Sequence, residues 1–296
     1  MIRPALAARA GALAAARTPF VLATVVRAQR PTSVRPGDTA LVLGDGTIEG
    51  FVGGHCAAAS VRLHALRALE TGEPLLLRIV PGDASAPAGE GAVTVSNPCL
   101  SGGALELFLE PRLPAPRLVV VGETPIAAAL AALGERMGWA VVAGSAAAVQ
   151  PAPDDAALVV ASHGHDEERA LERALRDGVP YVGLVASRRR GAAVLAGLDV
   201  PAALRARVHT PAGLDIGART AEEVALSILA EIVATRGAAR PAAAAAAPEP
   251  ATARDPVCGM EVALTAATPR LDGHAFCCEG CRDAYAADPL RYASAP

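Results

Sequence analysis

The sequence contains no lysine, so every basic residue is an arginine. With a formal net charge of −3 over 296 residues, it offers no cationic face of the kind a nucleic-acid duplex demands. Aromatic residues make up only 3% of the chain, which removes a base-stacking platform and leaves Leu, Val and Ala to fill the interior. Nucleic acid is not expected as a partner. Long apolar runs are missing too, because Arg, Gly, Pro or acidic residues interrupt each one short of the ~20 residues a membrane span needs. At the N-terminus Arg3, Arg9 and Arg17 break up what would be the apolar stretch of an export signal, so an ordinary first helix is expected. Cysteines number six, too few for a disulfide scaffold in a chain this long. Two are isolated and four lie near the end, which suggests reduced thiols with chemical roles in a cytoplasmic protein.

What is present is enough apolar material, 52% of residues, for two or three domains. Residues 1–116 read as a mixed α+β domain. The run FVLATVVRA from Phe20 is β-rich, and TALVL and TIEGFV flank an Asp45-Gly46 turn as a hairpin. After Gly53-Gly54 the segment HCAAASVRLHALRALETG has helical spacing and stops at Gly72, and LLLRIV and GALELFLE complete the strands. The run from Gly82 to Gly91 is a loop by composition. Pro111, Pro114 and Pro116 form a stiff connector. Residues 117–236 then alternate apolar strands (LVVVG, WAVVAG, ALVVAS, YVGLVAS) with helices. That pattern predicts a Rossmann-like, doubly wound parallel sheet covered on both faces. Thr220 and Glu223 form a capping box for its last helix. Residues 237–253, polyalanine with Pro241, Pro248 and Pro250, read as a flexible linker, so residues 254–296 are expected to fold by themselves.

Three constellations carry chemistry. In the tail, eighteen residues separate Cys258 from Cys277, and Cys281 follows four positions later. Three thiols in a segment too small for a hydrophobic core suit a soft or borderline metal that supplies folding energy, with Zn(II) or Cu(I) the best candidates. Cys278 is an additional thiol, and the fourth ligand is left open between sulfur, His274 and solvent. In the first domain Gly53-Gly54-His55-Cys56 lies where a strand hands over to a helix. The glycines let a ligand approach the backbone, and the helix start offers N–H groups and favours thiolate. A small buried cysteine after a tight turn is the plainer alternative. Asn97-Pro98-Cys99-Leu100-Ser101-Gly102-Gly103 repeats the pairing of a cysteine with glycines.

In the second domain the loop from Gly122 to Ala127 keeps only the first glycine of a dinucleotide fingerprint. Thr124 replaces the second, and no acidic residue follows WAVVAG. Ordinary NAD binding is therefore doubtful. Ser162-His163-Gly164-His165-Asp166 and Ser187-Arg188-Arg189-Arg190 end two other strands, where open α/β sheets take ligands, and an anion with a phosphate would fit. The alternative is that Asp166 caps a helix and the arginines are a solvated first turn. The stretch from Pro211 to Gly217, with Asp215, is either a ligand loop or the approach to the Thr220 cap.

The tail resembles the YHS/TRASH metal-binding modules through Cys258-Gly259-Met260 and Phe276-Cys277 to Cys281. Upstream, Gly53 to Cys56, Cys99 to Gly103, LVVVG, Ser162-His163, YVGLVASRRR and PAGLDIGARTAEEVALSILAEI resemble the XdhC/CoxI family over roughly residues 15–236. That resemblance implies a maturation factor for xanthine dehydrogenase and carbon monoxide dehydrogenase-type enzymes. Such a factor is a chaperone that binds molybdenum cofactor (molybdopterin) as cargo and assists its sulfuration and insertion, a carrier more than a turnover enzyme. It further implies that Cys56 and Cys99, with Gly53, Gly54, His55, Ser101, Gly102 and Gly103, engage the cofactor. Gly122, His163, His165, Ser187, Arg188 and Asp215 would contribute to the pterin or nucleotide pocket. The implied partner is a molybdenum hydroxylase apoenzyme, with a cysteine desulfurase and a second copy of the chain as further candidates. Two rival readings stand beside it: an NAD(P)-dependent oxidoreductase, and a metal-sensing or metal-handling protein.

Overall fold

The structure is a computed structural model that describes residues 3–82, 91–97, 103–152, 154–162, 164, 167–246 and 250–292, with the backbone alone for 237–246. Two compact units emerge, one formed by Met1–Pro114 with Ala246–Pro296, the other by Ala115–Ala245.

The first unit begins with the expected helix, α1 (Pro4–Ala15), followed by β1 (Phe20–Gln29), β2 (Thr39–Leu43), β3 (Ile48–Gly50), α2 (His55–Thr71), β4 (Leu75–Pro81), β5 (Ala92–Asn97) and β6 (Ala104–Arg112). The strands form one sheet in the order β3-β2-β1-β6-β4-β5, antiparallel except for the β4–β5 pair. Composition did not predict β5, because its alternating AVTVSN sits directly behind a Gly/Ala/Pro-rich run that reads as loop. Along β1, Val21, Ala23 and Val25 point to one face and are buried under α2, as the period of two requires. Leu13 of α1 packs with Phe20 and Leu41 in a separate small cluster. Gly72 ends α2 in the left-handed conformation, where a glycine carries no Cβ penalty.

The tail contributes β12 (Thr252–Arg254), β13 (Glu261–Ala263), β14 (Arg270–Leu271), β15 (His274–Ala275), α8 (Glu279–Ala287) and α9 (Pro289–Tyr292). It does not form a core alone. Met260, Val262, Ala275 and Cys277 share one buried cluster with Ala59, and Cys56 packs against it. Arg67 pairs with Glu261 at 3.1 Å. Helix α2 is thus buried on two sides. Ala57, Val61, Ala65 and Ala68 meet the sheet, while Ala59 faces the tail, and Ser60, Leu63 and His64 surround a small recess with Met260 and Glu261. The physical reason is size: so short a segment has too few apolar side chains to offset its ordering entropy, and the small residues of α2 supply the missing surface.

The second unit contains β7 (Arg117–Val121), α3 (Pro125–Arg136), β8 (Ala140–Gly144), β9 (Asp155–Val160), α4 (Glu167–Arg176), β10 (Tyr181–Leu184), α5 (Arg188–Gly197), the single turn α6 (Ala202–Arg205), β11 (Val208–His209) and α7 (Ala221–Ala246). Its strands are all parallel, in the order β11-β10-β9-β7-β8, the doubly wound arrangement expected. Leu118 and Val120 belong to one core cluster, Val119 and Val121 to another, so β7 is buried on both faces. The capping box forms: Thr220 N–H donates to Glu223 Oε2 at 3.0 Å, and Glu223 N–H donates to Thr220 Oγ1 at 3.2 Å. Helix α7 does not stop where the linker was expected. It runs to Ala246, because alanine has the highest helix propensity and the run after Pro241 is all alanine. Among the described residues no helix is long and apolar enough to cross a membrane.

Candidate functional site

Gly54 is the N-cap of α2 in extended conformation, and as a glycine it brings no capping side chain of its own. Here lies a cavity of about 640 Å³, lined by Gly54, His55, Cys56, Asn97, Gly103 and, from the tail, Cys278, with Pro31, Thr32 and Ser33 opposite. Gly103 belongs to this wall for a steric reason: a Cβ there would meet the Pro31 carbonyl oxygen at 2.0 Å. Gly53 adopts φ +127, a conformation that favours glycine, and turns the chain into the helix. The motifs around Cys56 and Gly103, far apart in sequence, therefore line one recess. Cys99, Ser101 and Gly102 lie outside the described residues, between Asn97 and Gly103.

Behind the cavity wall the thiols converge. Cys277 Sγ lies 3.6 Å from Cys258 Sγ, 3.6 Å from Cys281 Sγ and 3.7 Å from Cys278 Sγ. Donor atoms of Asp255, Cys258, Cys277 and Cys281 all fall within 4.8 Å of one another, as do those of Cys56, Cys277 and Cys278. None of these cysteines is in a disulfide. A tetrahedron of sulfurs about a Zn(II) with bonds near 2.3 Å has edges of about 3.8 Å, so the spacing fits a d10 cation. Contact with the thiols of Cys258 and Cys56, and then burial, push the Cys277 thiol up; burial and then Cys258 do the same to Cys281. Cys258 is drawn down, first by its hydrogen bond with Cys277.

Asp255, fully buried, was missed from sequence. Its Oδ1 accepts from the Val257 N–H (2.8 Å) and the Cys258 N–H (3.3 Å), and its Oδ2 accepts from the Cys277 N–H (2.7 Å). Burial pushes this carboxyl up, but the N–H donors led by Cys277 outweigh it and the net shift is downward. With both oxygens occupied by backbone, Asp255 positions the two cysteine-bearing loops. The signal was there in Asp255-Pro256-Val257-Cys258, an Asx-type turn ahead of the first ligand. His274, one of the open choices for a ligand, instead sits 5.1 Å from the Tyr285 ring.

In the second unit, a cavity of about 840 Å³ opens at the carboxyl ends of the parallel strands, as the fold dictates. Ser162, Ser187, Arg188, Arg190, Arg219 and Asp215 are among its lining. Arg190 pairs with buried Glu167, which also accepts from Ser162 Oγ at 2.8 Å and Gly164 N–H at 3.2 Å. Arg188 makes no ion pair among the described residues. His163, His165 and Asp166 lie outside the described residues. Gly122 does not line the cavity. It has φ +128, and a Cβ there would sit 2.2 Å from the Ala161 carbonyl oxygen, so the close approach of chain to chain requires it. Thr124 caps α3, its Oγ1 accepting from Ala127 N–H at 3.2 Å, and thereby fills the place of the missing glycine.

The loop from Pro211 to Gly217 is a cavity wall, held by a residue the sequence did not flag. Glu231 of α7 accepts from Tyr181 Oη (2.6 Å) and from Gly213 N–H (2.8 Å), and its Oε1 lies 3.0 Å from His209 Nδ1. Burial pushes Glu231 up, yet the bonds from Tyr181, Gly213 and His209 outweigh it and hold the carboxyl below its usual range. Tyr181 is pushed well above the ordinary phenol range by burial and then by Glu231, and its ring stacks on His209 at 4.5 Å.

Comparison with known proteins bears on both units. Residues 118–232 match the XdhC Rossmann domain, and residues 13–80 match the XdhC and CoxI family, together more than half of the chain. The uncharacterized protein YqeB of Escherichia coli (strain K12) is 28% identical over 243 residues, 73% of this chain and 43% of that protein. A protein of Bacillus subtilis (strain 168), named as a probable xanthine dehydrogenase component, is 34% identical over 84 residues, 28% of this chain and 24% of that one. The chain thus spans less than half the length of these curated relatives. A crystallised xanthine dehydrogenase from Bacillus halodurans aligns at 16% identity over 77% of this chain and 94% of that chain, with a TM-score of 0.39, a likeness too distant to carry an argument.

Proposed function

The chain belongs to the XdhC and CoxI family, and from that premise we propose that it is a cytoplasmic accessory protein for a xanthine dehydrogenase-type molybdenum hydroxylase. It binds molybdenum cofactor as cargo and assists its sulfuration and insertion into the apoenzyme. The observation that carries this reading is the cavity at the start of α2, where Cys56 and His55 meet Asn97 and Gly103. Its volume of about 640 Å³ suits a cofactor of pterin size. A cysteine in the first turn of a helix is placed to present a thiolate to a soft metal, and the positive end of the helix dipole beside it suits an anionic ligand. Cys99 joins Cys56 in the proposal on its motif. The crevice in the second unit takes a phosphate-bearing part of a ligand through Arg188, and Asp215 stands on the same rim. The tail holds Zn(II) or Cu(I) on Cys258, Cys277 and Cys281, a soft donor set whose spacing fits.

The test is to purify the chain beside molybdenum cofactor and measure bound molybdenum and pterin, with Cys56→Ala and Cys99→Ala in parallel. Retention in the unmutated protein and a loss of roughly tenfold or more in each variant is expected. Equal retention by all three removes the assignment. A nicotinamide-dependent oxidoreductase is the reading this must beat, and it is disfavoured because Thr124 caps α3 where a dinucleotide pyrophosphate needs a glycine. Tight NAD(P)H binding with hydride transfer would reverse that order.

A further inference from the structure

The thiols of the tail form two groups that meet at a single atom. Cys258 and Cys281 group with Cys277, Cys56 and Cys278 group with it as well, and Cys277 Sγ belongs to both groups. Cys56 comes from the first turn of α2 and Cys278 from the N-cap position of α8, segments more than two hundred residues apart. Both side chains also line the 640 Å³ cavity. Nothing in the tail's own motif requires Cys278, and nothing in the motif around Cys56 requires the tail. The fold nevertheless brings their sulfurs, with that of Cys277, within 4.8 Å of one another.

We infer that Cys56, Cys277 and Cys278 form a second position for a soft, thiolate-seeking d10 cation, joined to the Cys258–Cys277–Cys281 position by a shared Cys277 sulfur. A thiolate has lone pairs enough to bridge two such ions, and three sulfurs at this spacing suit the low coordination numbers that Cu(I) accepts. Each ligating thiol releases its proton to solvent as the ion binds, and no electron changes hands. Occupancy of this position ties the tail to α2 by coordination as well as by packing. It also places the ion in the wall of the cavity, on the thiol that faces it. The inference rests on the tail's being a metal site, and not on the identity of the cargo.

The experiment is an anaerobic titration of the reduced full chain with Cu(I) against a competing chelator, reading stoichiometry and affinity. The unmutated chain is expected to take up two equivalents. Cys56→Ser and Cys278→Ser should each lose one, while circular dichroism stays unchanged. In parallel, alkylation of the unmutated chain at one and at two equivalents is read by mass spectrometry of the Cys56 peptide. The second equivalent should slow alkylation of Cys56 at least tenfold, and this needs no variant to fold. Uptake of two equivalents by Cys56→Ser, or equal alkylation of Cys56 with and without the second ion, overturns the assignment. Failure of the cargo reading would show instead as absent molybdenum and pterin, with the Cu(I) stoichiometry intact.

Discussion

The cavity in the first unit and the crevice in the second are both built where a strand hands over to a helix, yet their helix starts are used differently. At α2 the N-cap is Gly54, which has no side chain to cap with, and the first turn begins with His55 and Cys56. At α3 and α5 the caps are filled by Thr124 and Ser187, whose hydroxyls accept from Ala127 and Arg190 N–H groups. The second recess thus has helix starts closed by their own N-cap side chains and offers arginines such as Arg188, while the first offers a thiol and an imidazole. No arginine or carboxylate lines the first recess among the described residues, and no thiol lines the second. One architecture at two places yields a soft site and a hard one, and the side chains of a single helical turn make the difference.

The largest way to break this contrast is Glu231→Ala. It removes the acceptor of a buried phenol and releases the loop that walls the crevice, at a cost of about 4 kcal/mol. A fall in unfolding temperature on the order of 10 °C is expected for the second unit. Metal uptake by the thiols stays unchanged, and Glu231→Gln restores part of the loss. Thermal unfolding followed beside a Cu(I) titration checks both halves.

A smaller effect singles out the first unit. His64, on the α2 face toward the tail, is held down to about 4 by burial and then by Arg67, against an opposing pull from Glu261. The folded chain keeps it neutral to about that pH, while the unfolded chain takes up its proton near pH 6.5. Stability from this group is therefore full above pH 6.5 and is lost as pH falls toward 4, by roughly 3 kcal/mol, with no further change below. Denaturant midpoints across that window should fall in the native chain and flatten in His64→Leu; parallel slopes would show that another group titrates.

The smallest effect sharpens the second recess. Arg188→Ala leaves folding within about 0.5 kcal/mol of the native chain, since the side chain makes no ion pair among the described residues. It weakens pyrophosphate binding by about five- to tenfold, in a salt-dependent way. Isothermal titration at two ionic strengths checks it, and an unchanged affinity moves the anion contact to Arg219.

Most local features were legible from sequence because their signals are local. The Gly54 start and Gly72 stop of α2, the Thr220–Glu223 box and the apolar strands of the parallel sheet each depend on residues a few positions apart. Strand β5 and the two-residue β11 escaped, one masked by its neighbouring loop and the other too short for any period. The polyalanine segment misled, since its composition reads as linker while its propensity is helical.

The candidate site was legible only in parts. Spacing alone singled out Cys258, Cys277 and Cys281, whose sulfurs the fold brings together, and the placement of Gly54-His55-Cys56 identified a helix start with a thiol. The partnership of Cys56 with the tail was decided by tertiary structure, as were the bracket of Asp255, the hold of Glu231 on Gly213 and the second buried face of α2. The reason is physical: sequence patterns report which side of an element is apolar, not what covers it. A helix as rich in alanine as α2 presents small residues on more than one face, and only the folded chain shows that the tail closes over one of them.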